Sequence, residues 1–129
     1  MIGEKVQHFQ GKSSDLGELQ TKITDYLISD GFTVQTSPSS AHGTLIQAKK
    51  GGHWEEIIAA NRALSILISG DPDDFTVRIG IGKWLEHLGV AAVETLLLSD
   101  IFLVVDVAEM TWNLEIEEKL ANQIETFVG

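Results

Sequence analysis

LGVAAVETLLLSDIFLVVDVA, at residues 88–108, has to be hidden from water by some other surface. It is apolar at 15 of 21 positions, and its only charged residues are Glu94, Asp100 and Asp106. The cover can come from the chain's own sheet, from a second copy, or from lipid. Identifying that cover is the main functional question that the sequence poses.

The three acidic residues argue against lipid as the cover. A spanning helix needs about 20 apolar residues with few charges. An acidic residue near the bilayer centre costs ~2.5–3.5 kcal/mol, against ~0.3–0.6 kcal/mol gained per large aliphatic residue. On one straight helix the three acids would point about 120° apart, so no single face shelters them. The segment instead predicts two helices, at 83–98 and about 99–110, with Ser99 or Asp100 capping the second.

Composition sets the broad class of the protein. A chain of 129 residues predicts a single domain, 1–129, that is large enough for its own core. The absence of cysteine excludes disulfides and thiolate chemistry, and residues 1–14 lack an apolar signal core, which predicts a cytoplasmic protein. The net charge is −10, and residues 63–129 carry 12 acidic but only 3 basic residues. This balance disfavours nucleic acids and anionic lipid headgroups as partners.

The first helix is marked at both ends. Asp15 and Glu18 have the spacing of a capping box, and Gly31 supplies the residue that ends a helix. The apolar positions between them recur on one face: Leu16, Leu19, Ile23, Tyr26 and Leu27.

Alternating patterns predict the strands. They cover residues 32–37, 44–50, 64–69 and 75–82, with Ile46 and Ala48 facing inward and a turn at 70–73. Residues 5–10 are a candidate for a further short strand, although their alternation is poor. Residues 53–61 fit no pattern well enough to assign. A last helix is predicted from its cap at Asn113 to Val128, with its buried face formed by Ile116, Leu120, Ile124 and Phe127.

The resulting order, (β)-α-β-β-β-β-α-α-α, predicts an α+β fold. Four to five consecutive strands with short turns form an antiparallel sheet that is polar on one face. The first helix and at least one C-terminal helix cover the other face. The order is similar to that of TATA-binding-protein-like and helix-grip folds, a similarity that implies no activity.

The end of the last strand contains a weak candidate anion site. There a strand runs into Gly80, Gly82 and Lys83, where backbone N–H groups and a lysine could receive an anion. The spacing matches neither the phosphate loop nor the dinucleotide-binding motif. In the alternative interpretation, the two glycines share one sheet face and leave room for a closely packed cover.

No catalytic, cofactor-binding or metal-binding residues are predicted. The four histidines have no metal-ligand spacing, and the acidic turn at 71–74 lacks the glycine and distal glutamate of a calcium loop. Asp100 and Asp106 interrupt an apolar run, so each has to be paired or to reach the surface. One interpretation makes them a helix cap and a surface residue. The other pairs them with the few available cations, Arg62, Arg78 or Lys83.

Residues 75–113 and 46–50 are similar to those of small uncharacterised prokaryotic proteins. The shared feature is a strand that ends in Gly-x-Gly-Lys-Trp, here 80–84, and continues into an apolar helical segment. The resemblance implies no assigned activity. In some of those relatives the apolar segment looks more membrane-like than it does here.

These observations predict a soluble, non-enzymatic module that self-associates or binds a partner protein through its apolar C-terminal helices. The contact residues are predicted to be Trp84, Leu98, Ile101, Phe102 and Val105. One alternative is a cavity between sheet and helices that binds a small molecule or a lipid. Another is peripheral membrane association through the same helices, which the acidic surface opposes.

Overall fold

A computed structural model of the chain describes residues 4–37, 43–49, 62–84 and 107–128. These ranges contain a five-stranded antiparallel sheet and two helices, which confirms the predicted α+β class. The elements in chain order are β1 (Glu4–Gln10), α1 (Leu16–Ser29), β2 (Thr33–Thr36), β3 (Thr44–Lys49), β4 (Arg62–Asp71), β5 (Asp74–Lys83) and α2 (Val107–Val128).

The sheet has the strand order β1-β5-β4-β3-β2. Three of the neighbouring pairs, β2–β3, β3–β4 and β4–β5, join strands that are consecutive among the described elements. The β4–β5 hairpin turns at Pro72 and Asp73. The first strand lies beside the last one, with Glu4 opposite Gly80 and Gln10 opposite Asp74. The strands β1 and β2 therefore form the two edges of the sheet.

Helix α1 begins and ends where the sequence predicts. The Glu18 backbone N–H donates to Asp15 Oδ1 at 3.1 Å, as expected for an N-cap. At the other end, Gly31 N–H donates to the Ile28 carbonyl and Phe32 N–H donates to the Leu27 carbonyl, both at 3.0 Å. This is the Schellman pattern, and Gly31 adopts the positive φ of 93° that it requires.

Both helices pack on the same side of the sheet, which we call the first face. The inward positions of the strands alternate with outward ones, so large apolar side chains from β3, β4 and β5 form one layer. Leu19, Ile23 and Leu27 of α1 and Leu120, Ala121 and Ile124 of α2 cover this layer. The strand residues of the first face are Ile46, Ala48, Leu64, Ile66, Ile68, Phe75, Val77, Ile79 and Ile81.

Two predicted boundaries in the C-terminal half are wrong. Lys83 is the last residue of β5, paired with Arg62, and does not begin a helix. Asn113 lies inside α2, which already begins at Val107, so Asn113 is not its cap. Residues 107–116 contain no glycine or proline that would interrupt a helix, which explains its longer extent. The predicted helical residues 85–106 and the unassigned segment 53–61 lie outside the described residues.

The core position of α1 provides a direct test of this packing. Ile23 is fully buried and Ile28 is 54% exposed on the same helix. We expect Ile23→Ala to lower the free energy of unfolding by about 2–5 kcal/mol, because it removes core contacts and leaves a cavity. Ile28→Ala should change it by less than about 0.5 kcal/mol. Urea denaturation of both variants checks this, and equal effects would contradict the packing of α1.

Candidate functional site

The candidate anion-site residues lie inside a strand. Gly80 is opposite Ser65, Gly82 is opposite Ala63, and Lys83 is opposite Arg62 in the ladder between β4 and β5. Gly80 and Gly82 are both buried, and their spacing of two places them on one face of the sheet. This agrees with the interpretation that the glycines leave room for a close cover. Anion binding at this position stays a prediction.

That face lies opposite α1 and α2, and we call it the second face. The sequence predicts a polar outer surface here, yet the centre of the second face is buried. Leu45 is 1% exposed, and Ala63 and Ser65 are fully buried. The buried centre consists mostly of small or amide side chains from three strands: Leu45, Gln47, Ala63, Ser65, Leu67, Gly80 and Gly82.

A row of hydrogen bonds crosses the second face from β2 to β4. Gln35 Nε2 donates to Gln47 Oε1 at 3.0 Å, and Gln47 Nε2 donates to Ser65 Oγ at 3.2 Å. The Ser65 hydroxyl donates in turn to the Ala63 carbonyl at 3.2 Å. Buried polar side chains need such partners, because an unpaired one loses its hydration without compensation. The row therefore makes a polar sheet centre compatible with burial.

Trp84 marks the point where the chain leaves β5. The ring of Trp84 lies under the ammonium group of Lys49, with Nζ 4.3 Å from the ring centroid, a cation–π distance. Lys49 has the strand parity of Gln47, so its side chain belongs to the second face. Trp84 is the predicted contact residue that the structure describes. The other four, Leu98, Ile101, Phe102 and Val105, lie outside the described residues.

Two concave surfaces occur elsewhere on the described part of the molecule. A cavity of about 220 Å³ lies between the start of α1 and the end of α2, where Lys12 and Lys22 are accompanied by Asp15 and Glu18. Lys22 already pairs with Glu18 at 3.4 Å. An open groove of about 460 Å³ runs along α1 and α2, beside an edge-to-face contact of Tyr26 with Phe127. Neither surface includes a predicted site residue.

A histidine and an aspartate lie close together across β1 and β5. His8 Nε2 lies 2.5 Å from Asp74 Oδ1 in an exposed pair across β1 and β5. Within the described ranges, no group of three or more histidine, aspartate or glutamate side chains could hold a metal ion. Of the helices described, none is both long and apolar enough to cross a membrane.

Gln7 is a structural contact that the sequence analysis does not identify. It lies on β1, is 8% exposed, and points to the first face. Its Nε2 donates to the Ala121 carbonyl at 3.1 Å and, at 3.4 Å, to Glu125 Oε1. Its Oε1 is buried and accepts no hydrogen bond from the described residues. The only indication of this burial in the sequence is that Gln7 lies two residues before Phe9, and therefore on the same face of β1.

Comparisons with family models, curated proteins and solved structures find no match to this chain. The resemblance of residues 75–113 to small prokaryotic proteins therefore stays a prediction. A fold class alone does not determine an activity, so the function has to be argued from the surfaces of the molecule itself.

The polar row should contribute measurably to stability. Gln47→Leu removes two hydrogen bonds at constant side-chain size and leaves the Gln35 amide without that acceptor. We expect the free energy of unfolding to fall by about 1–3 kcal/mol, the cost of unmaking buried hydrogen bonds. Gln10→Leu, at an exposed strand position, is the matched control and should change it by less than about 0.5 kcal/mol. Equal denaturant midpoints for both variants would contradict the role of the row.

Proposed function

We propose that this protein is a non-enzymatic binding module that associates with a second copy or a partner protein through residues 88–108. The observation that carries the proposal is the composition of this segment, which is apolar at 15 of 21 positions. A segment this apolar must be covered on more than one side. One sheet face covers only one side of such a helix, so the other side needs a further surface.

The second face supports this arrangement. Its centre is buried, although α1 and α2 both pack on the first face. Small side chains such as Ala63, Ser65 and Gly80 give it a flat surface on which an apolar helix can pack closely. We propose that one side of residues 88–106 lies on this surface. The opposite side, with Leu98, Ile101, Phe102 and Val105, then forms the contact with the partner.

The position of Trp84 supports the same path. The chain leaves β5 with the Trp84 ring under Lys49, whose side chain belongs to the second face. A segment that continues from this point is next to the surface that needs a cover. The cysteine-free composition is typical of chains that fold in reducing compartments, and we propose a cytoplasmic location.

A small-molecule site is the second candidate. It is favoured by the amide and hydroxyl groups of Gln35, Gln47 and Ser65 on the second face. Ligand sites combine an apolar wall with a few polar groups that orient the ligand. A cavity between this row and residues 88–106 would have both. Native mass spectrometry of the freshly purified protein tests it, since a retained ligand adds a defined mass.

The proposed association is tested by light scattering over a range of protein concentrations. We expect Ile101→Lys and Val105→Lys to lower the mass of the particle, because a lysine in an apolar contact loses its hydration. The matched control is Ile28→Lys, an exposed apolar position on α1, which should leave the mass unchanged.

Far-UV circular dichroism establishes that each variant keeps the wild-type secondary structure. Unchanged association in folded Ile101→Lys and Val105→Lys would contradict a protein contact through this segment. Sedimentation of the protein with lipid vesicles, lost in the same two variants, would instead favour peripheral membrane binding.

A further inference from the structure

The strand β1 is a long and regular sheet edge. It pairs with β5 over all seven residues without interruption, and within the described residues no strand lies on its other side. The opposite edge, β2, has four residues. Natural proteins protect exposed edges with proline, bulges, charged side chains or very short strands. β2 is protected by its length, whereas β1 has neither proline nor bulge and has its charged residues, Glu4 and Lys5, only at its start.

One hydrogen bond shows which backbone N–H and C=O groups of β1 face away from β5. Gly11 N–H donates to the Asp73 carbonyl at 2.7 Å, in the register that continues the β1–β5 ladder. Hydrogen-bonded pairs alternate in an antiparallel ladder, so Phe9 and Gln7 also turn their backbone groups to β5. Val6, His8 and Gln10 turn theirs to the open edge. The described part of the chain offers these groups no partner.

The side chains at this edge leave room for another strand. Val6 is 56% exposed on the second face, and His8 and Gln10 beside it are exposed as well. Gln7 and the half-buried Phe9 occupy the first face. A strand added here gains backbone hydrogen bonds along the full length of β1, the binding mode known as β-augmentation.

We propose that β1 pairs antiparallel with β1 of a second copy of this chain, in the fully overlapping register with Gln7 on the two-fold axis. The two five-stranded sheets then join into one of ten strands. In this register Val6 lies opposite His8 of the partner subunit, and Gln10 lies opposite Glu4 of the partner subunit. No two like charges face each other, which a self-complementary edge requires.

Val6 favours a second copy over an unrelated peptide. It is one of two large apolar side chains that are exposed among the described residues, at 56%. In this register Val6 of the partner subunit lies diagonally across the axis on the same face of the joined sheet, so the two apolar side chains cover each other. A second copy supplies this contact by symmetry.

The first test changes the edge without changing the β5 ladder. Val6→Pro removes an outward N–H, and proline is tolerated at such edge positions. We expect light scattering to show a smaller particle for Val6→Pro than for the wild type, and the wild-type particle mass for the control Val6→Ala. Moderate salt is used because it screens the two Glu125 carboxylates that lie near the axis. Thermal unfolding verifies that Val6→Pro is folded.

The second test determines the register of the β1 pairing with single cysteines, which is possible because the chain contains no cysteine of its own. Gln7→Cys places two thiols opposite each other in a non-hydrogen-bonded pair, where Cα atoms are about 4.5 Å apart. Gln10→Cys places them six residues apart along the strands, about 20 Å. Under mild oxidation we expect Gln7→Cys to form a covalent dimer at least tenfold faster than Gln10→Cys.

The outcomes separate this interface from the one proposed for residues 88–108. A wild-type monomer at all concentrations, equal cross-linking of both cysteine variants, or an unchanged particle mass in folded Val6→Pro would overturn the β1 pairing. A particle mass that is lowered in Ile101→Lys and unchanged in Val6→Pro would assign association to the apolar segment and not to the edge. A mass that is lowered in Val6→Pro supports the edge, whether or not Ile101→Lys also lowers it.

Discussion

The pairing of β1 with β5 is the contact on which the arrangement of the described residues depends. In the described part of the chain, helix α1 and three strands lie between the two partners, so their pairing closes a long loop at a cost in chain entropy. Phe9 stacks on Phe75 with ring centroids 5.1 Å apart, and Gln7 bonds to the Ala121 carbonyl. These contacts offset the cost and attach α2 to the strand that opens the chain. They also leave β1 at the edge.

The two faces of the sheet are built on different principles. The first face has large branched side chains, which need the amphipathic stripes of α1 and α2 to exclude water. The second face has small side chains and a hydrogen-bonded row through Gln47 and Ser65. Such a surface satisfies its own polar groups and stays flat. It can therefore accept a cover without side chains that interlock with it.

Local signals determine which parts of this fold the sequence predicts. The helix α1 depends on contacts within its own turn, so Asp15 and Gly31 are sufficient to place its ends. The alternation of β5 and the burial of Ile79 and Ile81 likewise follow from a period of two.

Nonlocal effects determine what the sequence could not predict. Gln47 and Ser65 look like surface residues, because nothing near them in the chain shows that they bond to each other across two strands. Asn113 resembles a cap, but a residue in that position caps a helix only if the preceding residues are not helical, and α2 continues through it. For the same reason the burial of Gln7 depends on α2, more than a hundred residues further along the chain.

Charged residues are distributed unevenly over the strands and helices, which the net charge of −10 does not show. The five strands together carry five basic and three acidic residues, whereas α2 carries five acidic residues and one lysine. Charges are screened over about 8–10 Å at physiological ionic strength, so a contact responds to its own neighbourhood. The sheet edge itself is balanced, because β1 carries one glutamate and one lysine. Within the described residues the acidic excess is greatest on α2, so repulsion between copies joined at β1 would come mainly from this helix, where Glu125 Oε1 lies 3.4 Å from Gln7 Nε2 of β1.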